Sequence, residues 1–572
     1  MIGVLLILAI HLYASANDVL VMLQSLLTTQ NIVIALVILS WMLVLQVIPR
    51  KYPNSERIRA GRLTATLETK RGKELFEYLA STYNRILQPL GSLGVIMTFS
   101  IMAIASVFFF IASISSIMSP ESVQSISASN YFLIPGLNDF LPLSVATEII
   151  IGVFIAMILH EGAHAVYCRM GDITVETSGL VFFSYLPAGA FVRPDEEEVE
   201  NAEYLPQLRM LSAGILTNMA SSIVFILLFV VITSQLVVPA AGVPVNGSIE
   251  GSSASDQGLG AAQIVSINNT SVSSQEDIQN VITGTDTVTL TTSDGETISF
   301  TKELSVQQTI PQITDLPTGS QISEVNGEEV TTIQELEEVS QQSSGEELQL
   351  TTDSGETYSV PVGAAITLSD GSYIIAQSIN GITITNGQEF TSNFSGDSVQ
   401  VTTTTGDQMS LNREEISQVY QGISGVSVTD TGIIYTNTSL YEAFFFPFEN
   451  NTSIVQWISL FVILPVLSLI GGTEVFYGFA DEVTRYYTIS GGDPMFFIAT
   501  ILYWTAWISV NVGVFNALPI PALDGGQMVE SSISEIADKY SLTEATERWV
   551  LYSIYLFAGL SVLTMVILPI LV

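Results

Sequence analysis

The sequence predicts a polytopic α-helical membrane protein interrupted by an inserted, extracytoplasmic, mostly-β region. Three observations predict it. Hydrophobic residues make up 48% of 572 positions and mean hydropathy is +0.47, too apolar for an ordinary soluble protein. Yet the formal net charge is -38. The two are reconciled by segregation, because apolar runs flank an acidic middle, about 240 to 454, whose basic residues are Lys302 and Arg413 alone. Nucleic acid is not an expected partner of such a surface. Acidic, lysine-poor surfaces suit high salt, which fits a halophilic, haloarchaeal source.

Residues 1–30 form an apolar segment broken by Asn17 and Asp18, with no basic run before it, so a poor membrane segment or a peripheral helix is expected rather than a cleaved signal. Residues 31–140 hold N-terminal spans at 31–49 and 92–118, joined by a basic loop. That loop carries Arg50, Lys51, Arg57, Arg59, Arg62, Lys70, Arg71 and Lys73, eight of the seventeen basic residues, which places it in the cytoplasm. The loop 119–143 has no Lys or Arg and is expected outside. Residues 141–240 supply the first half of a membrane core: a span at 144–167, a hairpin-like insertion at 172–194, an acidic loop from Asp195 to Glu200, and a span at 207–239. Residues 441–530 supply the second half, with a re-entrant or interfacial helix at 455–474 and a span at 493–518. Residues 531–572 form a cytoplasmic loop and a last span at 549–571. The orientation follows from where the basic residues lie, and the lipid bilayer is the partner it implies.

The middle repeats itself. Ile264-Val-Ser-Ile-Asn-Asn269 recurs as Ile322-Ser-Glu-Val-Asn-Gly327 and as Ile375-Ala-Gln-Ser-Ile-Asn-Gly381. Each is followed by an echo: Thr291-Thr-Ser-Asp-Gly-Glu296, Thr351-Thr-Asp-Ser-Gly-Glu356 and Thr404-Thr-Gly-Asp407. A small mostly-β module is therefore expected two or three times, at 241–300, 301–362 and, in degenerate form, 363–440. The first two copies resemble PDZ domains, each with a strand, a tight turn and a short helix such as Ile333 to Glu338. That resemblance implies binding of peptides or chain ends by β-strand addition. A plain spacer is the alternative.

Chemistry concentrates in the span that ends at Leu159. His160-Glu161-Gly162-Ala163-His164 follows it, and residues four apart share a helix face, so both imidazoles can grip one metal ion. Glu161 lies beside that face, within reach of a metal-bound water. A catalytic zinc usually has three protein ligands and an open position, so a third ligand at membrane depth is required. The convincing candidate is Asp524 in Asn516-Ala-Leu-Pro-Ile-Pro-Ala-Leu-Asp-Gly-Gly526, where Pro519 and Pro521 force the chain to unwind and two glycines allow close backbone approach. Unwound backbone and a carboxylate at that depth are tolerated only around a functional cavity.

With the His-Glu-x-x-His helix, the distant Leu523-Asp524-Gly525 and the intervening modules, the chain resembles the site-2 protease family (peptidase family M50) of intramembrane zinc metalloproteases. The resemblance implies one zinc ion held by His160, His164 and Asp524, with Glu161 as general acid/base. It implies membrane-anchored protein substrates, cleaved in or near their transmembrane segments, and an active site toward the cytoplasmic side of the cell membrane. The family's Gly-Pro-x-x-Asn motif appears as Gly214 to Asn218 with Ile215 in place of proline, and its substrate-holding asparagine matches Asn516. The stretch from Gly179 to Val192 looks like the family's membrane-associated hairpin, an edge on which an unwound substrate can pair, with Gly179 and Gly189 as contacts. Asn218 and Asn516 are expected to satisfy freed substrate amides. The competing reading from another class is a PDZ-bearing membrane scaffold with a structural zinc site, which requires four protein ligands. Cys168 is the residue to check as the fourth.

Overall fold

Helix α1 (Thr29–Lys51) carries the first expected span, ending on Arg50 and Lys51. The computed structural model describes residues 29–571 except 53–54, 56, 62, 70–71, 119–142, 184, 311–312, 344–346, 370, 421, 437, 449, 465–475 and 480. The expectations for the apolar segment 1–30 and the loop 119–143 therefore lie largely outside the described residues, as does the second half of the helix at 455–474.

The basic segment after α1 is not a bare loop. It forms β1 (Ile58–Ala60) and β2 (Thr64–Thr69), and β2 pairs with β3 (Val175–Phe183), which pairs with β4 (Leu186–Pro194). The expected hairpin at 172–194 is thus half of a four-stranded sheet in the order β1-β2-β3-β4. The β-branched alternation Thr64-Ala-Thr-Leu-Glu-Thr69 is the local signal for β2. Glu68 is buried in the sheet and accepts from Arg59 at 3.3 Å and Arg193 at 3.4 Å, which pairs a carboxylate that would otherwise be costly to bury.

Helix α2 (Lys73–Met118) begins well before the expected span at 92. Its 46 residues extend about 69 Å, more than a bilayer needs. Helix α3 (Ala146–Met170) follows, and after β3 and β4 comes α4 (Tyr204–Leu236). Gly94 lets α2 approach Leu216 and Ser212 of α4, where a Cβ would stand 3.2 Å from their side chains.

The inserted unit, Val238–Leu440 with Thr484–Thr488, holds three sheets of the same design. The first contains β5 (Val243–Ser248), β6 (Ala261–Ile267), β7 (Thr287–Thr292) and β8 (Thr297–Thr301), with helix α5 (Gln275–Ile282). The second contains β9 (Leu304–Gln308), β10 (Gln321–Val325), β11 (Glu347–Thr352) and β12 (Thr357–Pro361), with α6 (Ile333–Gln342). The third contains β13 (Ala364–Leu368), β14 (Tyr373–Ile379), β15 (Ser398–Thr403) and β16 (Gln408–Asn412), with α7 (Gly387–Asn393). At each repeated turn an asparagine adopts positive φ (Asn268, Asn326 and Asn380, at 48°, 53° and 51°), as a type I′ hairpin demands. The same side chain then accepts a backbone N–H from the neighbouring strand, at Thr289, Gln349 and Gln400, each at 2.9 Å.

The sheets are completed by the returning chain. Strands β17 (Ile416–Val419), β18 (Ser427–Thr429) and β19 (Ile433–Tyr435) pair with β13, β9 and β5 in turn. Two expectations need correction. The stretch 363–440 is not one module, because its last two strands belong to the second and first sheets. The third copy, weakest in sequence, has the same strand order as the others. Each module is inserted within the one before it. Ile433 sits in the first core and Ile423 and Val426 in the second.

The membrane unit resumes with α8 (Ile454–Ile463), α9 (Asp493–Asn516), α10 (Asp524–Tyr540) and α11 (Glu544–Leu571). Among the described residues, four helices are long and apolar enough to cross a membrane: α2, α3 with the turn before it, α4 and α9. Helices also occupy the other two expected spans, at 31–49 and 549–571. Buried rings of Phe229, Phe444, Phe476 and Tyr503, with centroids 4.9–6.2 Å apart, fasten α4 to α9. Gly152 of α3 meets the backbone of Trp504 and Thr505, so α3 and α9 pack at near backbone contact.

Candidate metal centre

Three chain segments distant in sequence meet at one point. His160 and His164 project from the same face of α3. Asp524 opens α10, after α9 has ended at Asn516 and the two prolines have interrupted the helix. A carboxylate is favoured in a first helical turn. The break is held tight by the two glycines that follow, since a Cβ on Gly525 would overlap the carbonyl of Ala517 and one on Gly526 that of Ile520.

The three ligand atoms form a small triangle. His160 Nε2 lies 3.1 Å from Asp524 Oδ2, His164 Nε2 lies 3.4 Å from the same oxygen, and the two Nε2 atoms are 3.2 Å apart. Ligands about 2.0–2.1 Å from a tetrahedral zinc stand roughly 3.3 Å from one another. Two imidazole nitrogens and a carboxylate oxygen are the donors zinc prefers, so the residues fit the metal. Among the described residues these three form the only such cluster of metal-ligating side chains. Cys168, buried one turn beyond His164, packs instead among residues such as Leu208 and Leu211. Among the described residues the candidate centre thus offers three protein ligand atoms, the count of an open catalytic site rather than a closed structural one.

Helix α4 supplies the back wall. A Cβ on Gly214 would come within 2.5 Å of both imidazole rings. One turn earlier, the carbonyl of Met210 accepts from His164 Nδ1 at 2.8 Å. One turn later, Asn218 lies 3.1 Å from His160 Nδ1. The Met210 carbonyl has no sequence signature, because any residue offers one. Gly214 is legible only as part of a motif.

The other expected residues fall as follows. Glu161 stands beside the histidine face, and its carboxylate accepts the Val192 N–H of β4 at 3.0 Å. Asn516 brings its amide nitrogen within 3.3 Å of His160 Nε2, on the metal side. Asn218, expected to meet substrate, is fully buried with its amide against His160 Nδ1. Gly179 lies on the central strand β3, paired with Glu68 and Phe191, so it is not an edge contact. Its missing Cβ makes room for the Leu67 carbonyl and the Phe191 ring. Gly189 is buried on the edge strand β4 against Met157. A mainly apolar cavity of about 630 Å³ opens onto Glu161, with Phe76, Tyr83, Ile158, Leu180 and Phe191 among its walls.

Residues 148–560 match peptidase family M50. Among individual proteins, the chain is 28% identical over 173 residues to the zinc metalloprotease RasP of Shouchella clausii, covering 28% of this chain and 38% of that one. It is 29% identical over 93 residues to RasP of Oceanobacillus iheyensis, covering 16% and 20%. The matched stretches span at most 38% of the length of these curated relatives.

Proposed function

The chain belongs to peptidase family M50, and we propose that it is a membrane zinc metalloendopeptidase that hydrolyses peptide bonds in or near the transmembrane segments of membrane-anchored proteins. The observation that carries this reading is the His160–His164–Asp524 triangle, set among apolar helices with Glu161 at its side. When bound, zinc supplies a Lewis acid that lowers the pKa of a coordinated water to about 7. Glu161 accepts the attacking water's proton and delivers it to the leaving amine. Asn516 donates its amide toward the substrate backbone. The acidic modules at 241–440, PDZ-like in sequence, lie outside the cytoplasm, bind chain ends and select substrates, while the centre works toward the cytoplasmic face.

A transmembrane helix hides its carbonyls in its own hydrogen bonds, so a substrate must unwind before attack. Strand β4 is the edge of its sheet, and Val192 turns its N–H outward to Glu161. By the two-residue period of a strand, Ala190 turns the same way. An unwound segment pairing along this edge lies beside Glu161, with its side chains in the apolar cavity. That setting favours substrates apolar around the scissile bond.

The test is Glu161→Gln. Cleavage of a membrane-anchored reporter should fall by about a hundred- to ten-thousandfold with one zinc retained. Undiminished cleavage overturns the assignment, and a zinc site without any cleavage in the parent favours the scaffold reading. For the edge, Ala190→Pro removes one outward N–H from a strand position where proline is tolerated. It should slow cleavage at normal zinc content, and unchanged cleavage would argue against strand addition.

A further inference from the structure

The two metal-binding histidines are braced differently, and the difference points to a role for Asn218. His164 turns Nδ1 to the Met210 carbonyl at 2.8 Å, a group that only accepts. Its Nδ1 therefore carries a proton, and in the neutral ring Nε2 presents its lone pair to the centre. His160 turns Nδ1 to the side-chain amide of Asn218 at 3.1 Å. That amide is fully buried and carries both a donor and an acceptor; its Oδ1 has no hydrogen-bond partner. Two proton arrangements suit these distances. In one, His160 carries its proton on Nε2, donates it to Asp524 Oδ2 at 3.1 Å, and receives the Asn218 N–H on Nδ1. In the other, the proton sits on Nδ1, Asn218 turns its amide by half a rotation to accept it on Oδ1, and Nε2 offers its lone pair to the metal.

We infer that Asn218 is a positioning residue that sets the tautomer of His160, its amide turning over as zinc binds. The inference rests on the zinc-site reading given above. An amide pairs with either tautomer, so His160 is satisfied with or without the metal. A carboxylate at the same place pairs only with the metal-ready tautomer. A branched hydrocarbon pairs with neither. The centre thus has one permanently set ligand, His164, and one convertible ligand, His160. Gly214 leaves the space in which the His160 ring makes both sets of contacts.

The experiment measures zinc affinity of the full-length protein by chelator competition, together with the visible spectrum of the cobalt(II)-substituted form. Asn218→Leu keeps the branched shape and loses both polar ends, and its affinity should fall ten- to a hundredfold with an altered cobalt spectrum. Asn218→Asp should bind at least as tightly as the parent and keep the tetrahedral cobalt bands. Parent-like affinity in the Leu variant, or equal loss in both variants, overturns the inference. Thermal unfolding of the metal-stripped proteins confirms that both variants fold, and Asn218→Ala replaces the Leu variant if it does not. His164→Ala runs alongside. If it holds zinc as well as the parent, the zinc-site reading itself fails, whereas its loss of zinc beside an unaffected Leu variant sinks the tautomer role alone.

Discussion

The metal centre and the inserted modules are built on opposite plans. At the centre every contact is made once: one glycine gap, one carbonyl brace, one amide brace and a carboxylate from a helix more than 350 residues later in the chain (|i−j| of 364 to His160). In the modules the same contact is made three times, as with the asparagine that accepts an N–H across each tight turn. A single-copy site concentrates its sensitivity in a few atoms. A repeated scaffold spreads it, except where the nesting makes one strand answer for a distant sheet.

The most damaging change expected is Gly214→Ala. The new methyl group would stand within 2.5 Å of both rings and force them apart. Zinc affinity should drop by at least ~100-fold, with the modules' unfolding unaltered. Metal analysis beside calorimetry checks this, and a zinc-replete variant would show that the gap is not needed. Next comes Ile433→Ala, which empties a position 1% exposed in the first core. It should cost about 2–5 kcal/mol. Hydrogen exchange should rise in 243–301 and stay level in 364–412, despite the substitution lying nearer in sequence to the third module. Uniform change would break the nested reading. The smallest effect is expected from excising 241–440 in one piece. Cleavage persists while discrimination among substrates falls by a few-fold, so substrate use broadens. Selectivity equal to the parent's would make the modules a spacer.

These two plans also explain what was legible beforehand. The convergence of the three candidate ligands could be read because few arrangements leave two histidines four apart on an apolar helix and an aspartate after paired prolines. The repeats could be read because Asn-Gly turns and Ser/Thr caps are local chemistry, as the capping boxes at Ser274 and Thr332 show. The partners of β17, β18 and β19 could not. A three-residue strand such as Ile433–Tyr435 carries no mark of which sheet edge it joins, and pairing is settled by the edge left open. For the same reason β1 and β2 were hidden in a basic stretch, since Arg59 and Glu68 look like solvated charge until Arg193 arrives from β4. Asn218 was placed on substrate because an asparagine in a membrane helix announces a polar contact without naming its partner.

The interleaved return of the chain has a consequence for biosynthesis. Polypeptides emerge from one end, and domains usually mature in that order. Here the strand that closes the first sheet, Ile433–Tyr435, leaves the ribosome after the whole of the third sheet. The most deeply nested module ripens first and the first module last. Until then, β5 and β9 wait as open borders that a chaperone has reason to guard.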